Sequence, residues 1–206
     1  MSHYFDEVPG AASAEAVVSV ELPDTSFELR TDRGVFSHGR LDAGTAMLLR
    51  RAPAPPARGQ LLDLGCGAGP IALTMARRAP AATVWAVDVN ERARALCAAN
   101  ATANGIGNVV VRSPDEVPDD VRFDAIWSNP PIRIGKAALR ELLARWLGRL
   151  TGDGRALLVV QKNLGSDSLQ RWLIEQGWPT TRLASARGYR LLDVRPADDS
   201  QVTSDR

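Results

Sequence analysis

The sequence predicts an α/β fold in which a mostly parallel sheet is doubly wound, with helices on both of its faces. From Gln60 to about residue 176, apolar runs with strand character alternate with helical patterns, and this alternation is typical of a parallel sheet. Near the end of the chain, residues 181–184 and 189–194 flank Arg187-Gly188 and predict a hairpin that adds an antiparallel strand. Two unusual loops follow strands within this pattern. Because ligands bind outside the carboxyl ends of the strands in an open α/β sheet, we expect both loops to face one pocket.

Each element is predicted from its own part of the sequence. Residues 17–22 and 26–29 alternate apolar and polar side chains around a Pro-Asp-Thr turn and predict an N-terminal hairpin. Asp42 is a candidate N-cap for a helix that ends at Leu49, and the proline-rich residues 52–59 predict a loop. The remaining predicted strands end at residue 64 and span 83–87, 109–112, 123–127 and 155–161, and the remaining predicted helices begin at residue 70 and span 91–103, 136–150 and 168–176.

Length and composition favour one domain. A chain of 206 residues with 45% apolar side chains is long enough for one well-buried core and short for two. We expect an N-terminal extension over residues 1–58, a core over 59–196 and a loose tail over 197–206. No apolar run approaches the roughly 20 residues that cross a bilayer. The first ten residues carry no signal pattern, so we expect a cytoplasmic protein.

Charge and cysteine content constrain the function little. The net charge of +1 neither favours nor excludes a polyanionic partner, because a local basic face is compatible with a balanced total. Cys66 and Cys97 lie in different predicted elements, without another Cys or His at metal-ligand spacing. We therefore expect two reduced thiols, no disulfide and no metal site.

The first unusual loop runs from Asp63 to Gly69 and has the sequence Asp-Leu-Gly-Cys-Gly-Ala-Gly. Gly65, Gly67 and Gly69 allow the backbone to turn sharply and to approach a ligand that a Cβ would repel. Pro70 suits the first position of the next helix. Because it stands where a dinucleotide fingerprint needs its last glycine, a ligand with a pyrophosphate is disfavoured.

Two acids accompany the glycines. Asp88 ends the next predicted strand, about twenty residues further on, where a carboxylate can accept hydrogen bonds from both hydroxyls of a ribose. Asp63 comes just before the glycines, where it can receive a cationic amino group or brace the amides of the loop. The alternative is a glycine-rich turn without any ligand, and the presence of Asp88 at this distance argues against it.

At these residues the chain resembles the class I S-adenosylmethionine-dependent methyltransferases, whose first motif has the form Asp-x-Gly-x-Gly-x-Gly and whose second strand ends in an acid. The resemblance spans residues 60–195. It implies a Rossmann-like, seven-stranded sheet with an antiparallel last strand. It also implies that S-adenosylmethionine is bound by the glycine loop and Asp88. In that family an acid near the end of the third strand commonly meets the adenine amine, and Asp115 is the candidate in this chain.

The second unusual loop, Ser128 to Ile132, has the sequence Ser-Asn-Pro-Pro-Ile and ends another predicted strand. Methyl transfer from a sulfonium to an amine conjugated with a ring requires acceptors that orient the amine and favour its lone pair. The candidate acceptors are the side-chain carbonyl of Asn129 and the backbone carbonyl of Pro130. The two prolines restrict the geometry of Asn129 beforehand. A Pro-Pro end that merely stops the sheet is the alternative.

Loops with the sequence Asn-Pro-Pro-aromatic mark methyltransferases that act on the amines of adenine, guanine and glutamine side chains. This sequence resembles that group, with Ile132 in place of the aromatic residue. The pieces that resemble the small-domain methyltransferases are His3-Tyr4-Phe5, Gly34-Val35-Phe36-Ser37, Arg40-Leu41-Asp42-x-Gly44-Thr45, the run from Asn129 to Lys136 and Gly188-Tyr189-Arg190. That family includes enzymes that methylate the exocyclic amine of a guanine in 16S ribosomal RNA. The resemblance thus implies RNA methylation in rRNA processing, with ribosomal RNA or the small ribosomal subunit as partner.

The candidate substrate-binding residues follow Asn129 directly and are Pro131, Ile132, Arg133 and Lys136. Lys136 and Arg140 share a helix face at i, i+4, so that together with Arg133 they can hold phosphates around a flipped-out base. A solvated helix face explains these cations equally well. His38 lies in a loop over residues 36–40 that we expect to close over the pocket, and it is a weaker candidate for catalysis.

Other interpretations stay open at this point. Adenine N6 or a protein glutamine amide would suit the same Asn-Pro-Pro loop. A module that binds the cofactor but has lost its activity is disfavoured because that loop is intact. An NAD-dependent oxidoreductase is disfavoured by Pro70.

Overall fold

The structure, a computed structural model, describes residues 16–32 and 41–197. Within these residues, nine strands and five α-helices follow one another. The strands are β1 Ala16–Glu21, β2 Ser26–Thr31, β3 Arg58–Leu64, β4 Ala81–Val87, β5 Val109–Arg112, β6 Phe123–Ser128, β7 Leu150–Gln161, β8 Thr180–Ala186 and β9 Tyr189–Val194. The helices are α1 Ala43–Arg51, α2 Pro70–Arg78, α3 Glu91–Ala103, α4 Lys136–Leu147 and α5 Ser166–Glu175.

Seven of the strands form one sheet in the order β5-β4-β3-β6-β7-β9-β8. All neighbours from β5 to β7 pair in parallel, whereas β9 pairs antiparallel with both β7 and β8. The predicted Rossmann-like sheet with an antiparallel last strand is therefore confirmed. The predicted N-terminal hairpin is confirmed as a separate two-stranded sheet of β1 and β2.

Apolar side chains are buried on both faces of the large sheet. One cluster joins α1, α2 and α3 with the β1–β2 hairpin and includes Leu48 and Leu73. The other cluster joins α4 and α5 and includes Leu143 and Leu173. The central strands are nearly continuous apolar runs, because helices cover them on both sides. The predicted double winding is confirmed.

The boundaries predicted around α4 and β7 were wrong. The helix predicted to reach residue 150 ends at Leu147. The strand predicted from residue 155 already begins at Leu150, which pairs with Phe123 before the register shifts. A Cβ at Gly154 would lie 2.8 Å from the carbonyl oxygen of Thr151. Gly154 thus permits the irregular pairing at the start of a long strand.

The N-terminal hairpin is tied to the glycine loop by Asn100 of α3. Asn100 is 1% exposed, and its Oδ1 accepts the N–H of Arg30 in β2 at 2.9 Å. Its Nδ2 donates to the carbonyl oxygens of Arg30 and Ala68, both at 2.9 Å. Ala68 belongs to the glycine loop. The hairpin therefore packs beside the loop that was predicted to hold a ligand.

Some predictions fall outside the described residues. They concern residues 3–5, the motif piece 34–37, the loop over 36–40 with His38, and the tail after residue 197. The division of the chain into an extension and a core stays a prediction. Of the helices within the described ranges, none has the length and apolar character needed to span a bilayer.

Candidate active site

The two loops that were predicted to face one pocket lie side by side. β3 and β6 are parallel neighbours, in which Asp63 pairs with Trp127, so the loops that follow these strands leave the same edge of the sheet. The hydroxyl of Ser128 donates a hydrogen bond of 2.6 Å to the carbonyl oxygen of Leu64 and joins the two strand ends. In open α/β sheets, this carboxyl edge is where ligands bind.

The glycine loop has the backbone geometry that its sequence predicts. Gly65, Gly67 and Gly69 have φ angles of 79°, 53° and 95°, in the left-handed region that favours glycine. A Cβ at Gly65 would have no described atom within 4 Å, whereas a Cβ at Gly69 would stand 2.8 Å from the sulfur of Cys97. Gly65 therefore faces space that a ligand can enter, and Gly69 permits close packing against α3.

Asp63 is fully buried at this edge. It is 0% exposed, and its Oδ2 accepts the N–H of Ala72 in the first turn of α2 at 2.8 Å. Its Oδ1 is buried without a hydrogen-bond partner among the described residues. Burial raises the pKa of Asp63 to about 8, the Ala72 N–H opposes this shift, and the neighbouring Asp88 adds to it. A cation beside Oδ1 would supply the missing partner and favour the charged form.

Asp88 lies after β4 and contacts the glycine loop. Its Oδ2 accepts the N–H of Gly67 and its Oδ1 accepts the N–H of Asn90, both at 2.9 Å. The side chain is half-buried, and burial raises its pKa above the ordinary value although these hydrogen bonds lower it. Each carboxylate oxygen has further lone pairs, so the predicted hydrogen bonds from ribose hydroxyls fit this geometry.

Asn129 directs its amide nitrogen into the protein. Nδ2 donates to Oδ1 of Asp42 at 2.8 Å and to the hydroxyl oxygen of Thr45 at 3.1 Å. Asp42 is also the N-cap of α1, because the same oxygen accepts the N–H groups of Gly44 and Thr45. Within the described part of the chain, no donor reaches Oδ1 of Asn129. The amide oxygen is thus the end that is available to a target amine.

The rest of the second loop turns towards α4. Pro130 is buried, and its carbonyl oxygen accepts the N–H of Ile132 at 2.8 Å. The carbonyl oxygen of Pro130 therefore has one lone pair left to accept a hydrogen bond from a target amine, the role predicted for it. Pro131 is half-buried, and Ile132 packs against the apolar cluster under α4 and α5.

A cleft of about 220 Å³ opens beside Ile132, between α4 and α5. Lys136 and Arg140 line it on the α4 side. Arg133 and Lys136 are exposed, whereas the half-buried Arg140 places its guanidinium 5.3 Å from the centre of the Trp172 ring. Of the predicted substrate-binding residues, Ile132 and Lys136 thus line this cleft, and the roles of Pro131 and Arg133 stay predictions.

Asp115 has different surroundings from the other predicted cofactor acids. It lies in a short 3₁₀ turn after β5. Its side chain is 90% exposed and pairs with the guanidinium of Arg145 in α4 at 3.2 Å. These contacts tie Asp115 to α4 and not to the glycine loop, so its contact with adenine stays a prediction.

Asp42 and Thr45 contact Asn129 but were not predicted as site residues. Asp42 was predicted only as a helix cap, which the structure confirms, and Thr45 had no predicted role. The signal in the sequence is the run Asp42-x-Gly44-Thr45, which belongs to the resemblance to the small-domain methyltransferases. Among the described residues, no group of three or more His, Cys, Asp or Glu side chains could hold a metal ion.

Residues 26–193 match the family model of the methyltransferase small domain. The chain belongs to the methyltransferase small domain family. The family predicted from the sequence is thus confirmed. The matched residues include the glycine loop, Asn129 and all seven strands of the large sheet except the last residue of β9.

Members of this family and other proteins resemble the chain over most of its length. It is 33% identical to the YbxB protein of Bacillus subtilis, described as uncharacterized, over 94% of this chain and 98% of that protein. It is also 33% identical to ribosomal RNA small subunit methyltransferase C of Ectopseudomonas mendocina, over 92% of this chain and 58% of that protein.

Solved structures show the same similarity. RsmC, a 16S rRNA N2 methyltransferase of T. thermophilus described in complex with S-adenosylmethionine and guanosine, superposes with a TM-score of 0.74 at 25% identity, over 91% of this chain and 52% of that one. A ribosomal protein L11 methylase of Lactobacillus delbrueckii superposes with a TM-score of 0.60 at 23% identity, over 76% of this chain and 84% of that one, which shows a likeness of fold alone. The chain spans about half the length of the ribosomal RNA methyltransferases that it matches.

Proposed function

We propose that this protein is an S-adenosylmethionine-dependent methyltransferase that acts on an exocyclic amine, namely guanine N2 of ribosomal RNA. One observation carries the proposal. At a single edge of the sheet, the glycine loop with Asp63 and Asp88 adjoins Asn129, whose amide oxygen has no donor among the described residues. Membership in the methyltransferase small domain family supports the enzyme class and the cofactor.

The residues of the glycine loop fit S-adenosylmethionine. Gly65 leaves space where a Cβ would stand, so the loop can approach a bulky ligand. The carboxylate of Asp88 is suited to the ribose hydroxyls. Oδ1 of Asp63, which is buried without a partner among the described residues, is suited to the ammonium group of the cofactor's methionine part. The two carboxylates thus suit two chemically different parts of one molecule, and Gly65 leaves room for it.

When bound, the cofactor supplies an electrophilic methyl group on a sulfonium, which becomes a neutral thioether as the carbon–sulfur bond breaks. Asn129 Oδ1 accepts a hydrogen bond from the target amine and turns the nitrogen lone pair towards that methyl group. The same acceptor stabilises the positive charge that develops on nitrogen as the new carbon–nitrogen bond forms. The cationic product then releases a proton to solvent, so the site needs no strong base.

The choice of guanine N2 is supported by the relatives. The name of the RsmC structure specifies N2 of a guanine in 16S rRNA, and the name of ribosomal RNA small subunit methyltransferase C specifies methylation of small-subunit ribosomal RNA. In this chain Ile132 offers an aliphatic face to a base instead of an aromatic ring. Arg133, Lys136 and Arg140 stand beside it, where they can hold neighbouring phosphates. We propose ribosomal RNA or the small ribosomal subunit as the partner.

A labelling experiment tests the proposed function. The full chain is incubated with methyl-labelled S-adenosylmethionine and, in separate reactions, with small ribosomal subunits, naked 16S RNA and total cell protein. We expect label in an RNA-containing reaction, and N2-methylguanosine as the labelled nucleoside after digestion. N6-methyladenosine or label in protein would identify another amine as the target. No label in any fraction would contradict the proposal.

A further inference from the structure

The amide of Asn129 is held by residues from a distant part of the chain. Asp42 and Thr45, at the start of α1, accept the two N–H bonds of Nδ2 at 2.8 and 3.1 Å. They precede Asn129 by 87 and 84 residues. Thr45 is 4% exposed, so water competes little with the amide of Asn129 for the Thr45 hydroxyl.

The two acceptors decide which way the amide faces. The oxygen and nitrogen ends of an asparagine amide are similar in size, and rotation about the last side-chain bond exchanges them. A carboxylate oxygen offers only lone pairs, so it attracts the nitrogen end of Asn129 and repels the oxygen end. With Asp42 and Thr45 in place, the oxygen faces the target. In the opposite orientation the amide would present N–H groups to an amine that itself needs an acceptor.

The start of α1 is itself firmly placed. Oδ1 of Asp42 caps the helix by accepting the N–H groups of Gly44 and Thr45 at 2.8 and 3.0 Å. A Cβ at Gly44 would stand 2.8 Å from the ring of Tyr189, so the helix start packs closely on β9. α1 also packs against β7, which is the neighbour of β6, the strand that ends directly before Asn129. A rigid element therefore presents both acceptors.

We propose that Asp42 and Thr45 are positioning residues for methyl transfer, which hold the Asn129 amide with its oxygen towards the target amine. The inference rests on the proposed function and adds the first turn of α1 to the active site. It also gives a physical reason for the run Asp42-x-Gly44-Thr45. Asp42 supplies an acceptor, Gly44 gives clearance for Tyr189, and Thr45 supplies the second acceptor.

Variants of the two acceptors test this inference through kcat. Thr45→Val removes the hydroxyl but keeps the shape, and Asp42→Ser keeps an N-cap but removes the carboxylate that attracts the amide nitrogen of Asn129. We expect each to lower kcat about 3- to 10-fold, as for the loss of one hydrogen bond, with the affinity for S-adenosylmethionine unchanged within about twofold. Thr45→Ser, which restores an acceptor, should recover most of the loss. Thr180→Val, a buried threonine of β8, is the matched control.

A measurement that needs no catalysis separates this inference from the proposed function. The side-chain NH₂ signal of Asn129 in the ¹⁵N-labelled full chain is assigned by its absence in Asn129→Ala. In the wild-type protein we expect its protons to exchange with water more slowly than those of exposed asparagines, and to exchange faster in Thr45→Val. Fast exchange in the wild type, or full kcat in both acceptor variants, would overturn the inference. Slow exchange in a protein that labels no fraction would contradict only the proposed function.

Discussion

At the scale of single residues, the raised pKa of Asp63 makes the stability of the protein depend on pH. Its pKa is raised to about 8 because the carboxyl group is buried, and Oδ1 has no partner among the described residues. In the unfolded chain the group titrates near 3.8. Between these values the folded protein binds the proton that the unfolded chain has lost. The contribution of Asp63 to the stability of the free protein is therefore fully present below the lower value and is lost as the pH rises towards the higher one.

Replacement of Asp63 tests this account. Asp63→Asn keeps an acceptor for the Ala72 N–H but cannot titrate. We expect the free wild-type protein to lose stability between pH 4 and pH 8 more steeply than the variant, by on the order of 1.4 kcal/mol per pH unit for one proton. Thermal unfolding across this range measures the difference. Saturating S-adenosylmethionine should flatten the wild-type curve, and parallel curves for the two free proteins would contradict the assignment.

At the scale of elements, the boundaries of helices and strands were predicted well where residues close in sequence determine them. The helix predicted over 91–103 has these limits in the structure, because Asn90 caps it by accepting the N–H of Ala93. The helix predicted from residue 168 begins earlier, at Ser166, directly after Gly165 in the left-handed conformation. The early start of β7 could not be predicted, since Leu150 becomes a strand residue by pairing with the distant Phe123.

The glycine loop yields a prediction at the same scale, because its glycines have different functions. Gly65→Ala places a Cβ in open space, and Gly69→Ala places it 2.8 Å from Cys97 Sγ and 3.0 Å from Leu73 Cδ1. Both have positive φ, which costs about 1 to 2 kcal/mol for alanine. We expect Gly69→Ala to lose a further 1 to 3 kcal/mol of stability, roughly, through overpacking. Gly65→Ala should instead lose affinity for S-adenosylmethionine.

Chemical denaturation and calorimetry measure these two effects separately. The glycine pair is its own control, since both variants add the same methyl group within one loop. Equal losses of stability in Gly65→Ala and Gly69→Ala, with equal affinity for S-adenosylmethionine, would contradict the prediction that Gly69 serves packing and Gly65 serves binding of the cofactor.

At the scale of the whole molecule, the net charge of +1 conceals an uneven distribution. The only two lysines of the sequence, Lys136 and Lys162, both follow strands at the carboxyl edge of the sheet, and both are exposed. Arg133 and Arg187 are exposed at the same edge. The sequence predicted three cations after Asn129, but it could not place Lys162 and Arg187 beside them, because that depends on the order of the strands.

In the active site as a whole, too, contacts between residues far apart in sequence could not be predicted. Asn129 and the glycine loop could be predicted, since strand ends in a parallel sheet face one edge. The contact of Asn129 with Asp42 joins residues 87 positions apart, and no local pattern encodes it. The tie from Asn100 to Arg30 spans 70 positions and was missed for the same reason.

The proposed ribosomal RNA substrate, together with the exposed cations at the carboxyl edge, predicts salt-dependent binding. We expect the KM for ribosomal RNA to rise with salt, because phosphate contacts release counterions. Lys136→Ala should weaken RNA binding and reduce the magnitude of the salt slope by about 1, without a change in affinity for S-adenosylmethionine. Arg58→Ala, at the start of β3 on the opposite edge, is the matched control. The same salt slope for both variants would place the RNA elsewhere.

The central claim is that one edge of the sheet joins a glycine-bound S-adenosylmethionine to an amine held by Asn129. Its most direct test is the single-turnover rate of methyl transfer to the labelled ribosomal substrate by Asn129→Ala, at saturating S-adenosylmethionine. We predict a rate at least about 100-fold below that of the wild type, as for the loss of a transition-state acceptor, with cofactor affinity retained. A rate within about threefold of the wild type would contradict the claim.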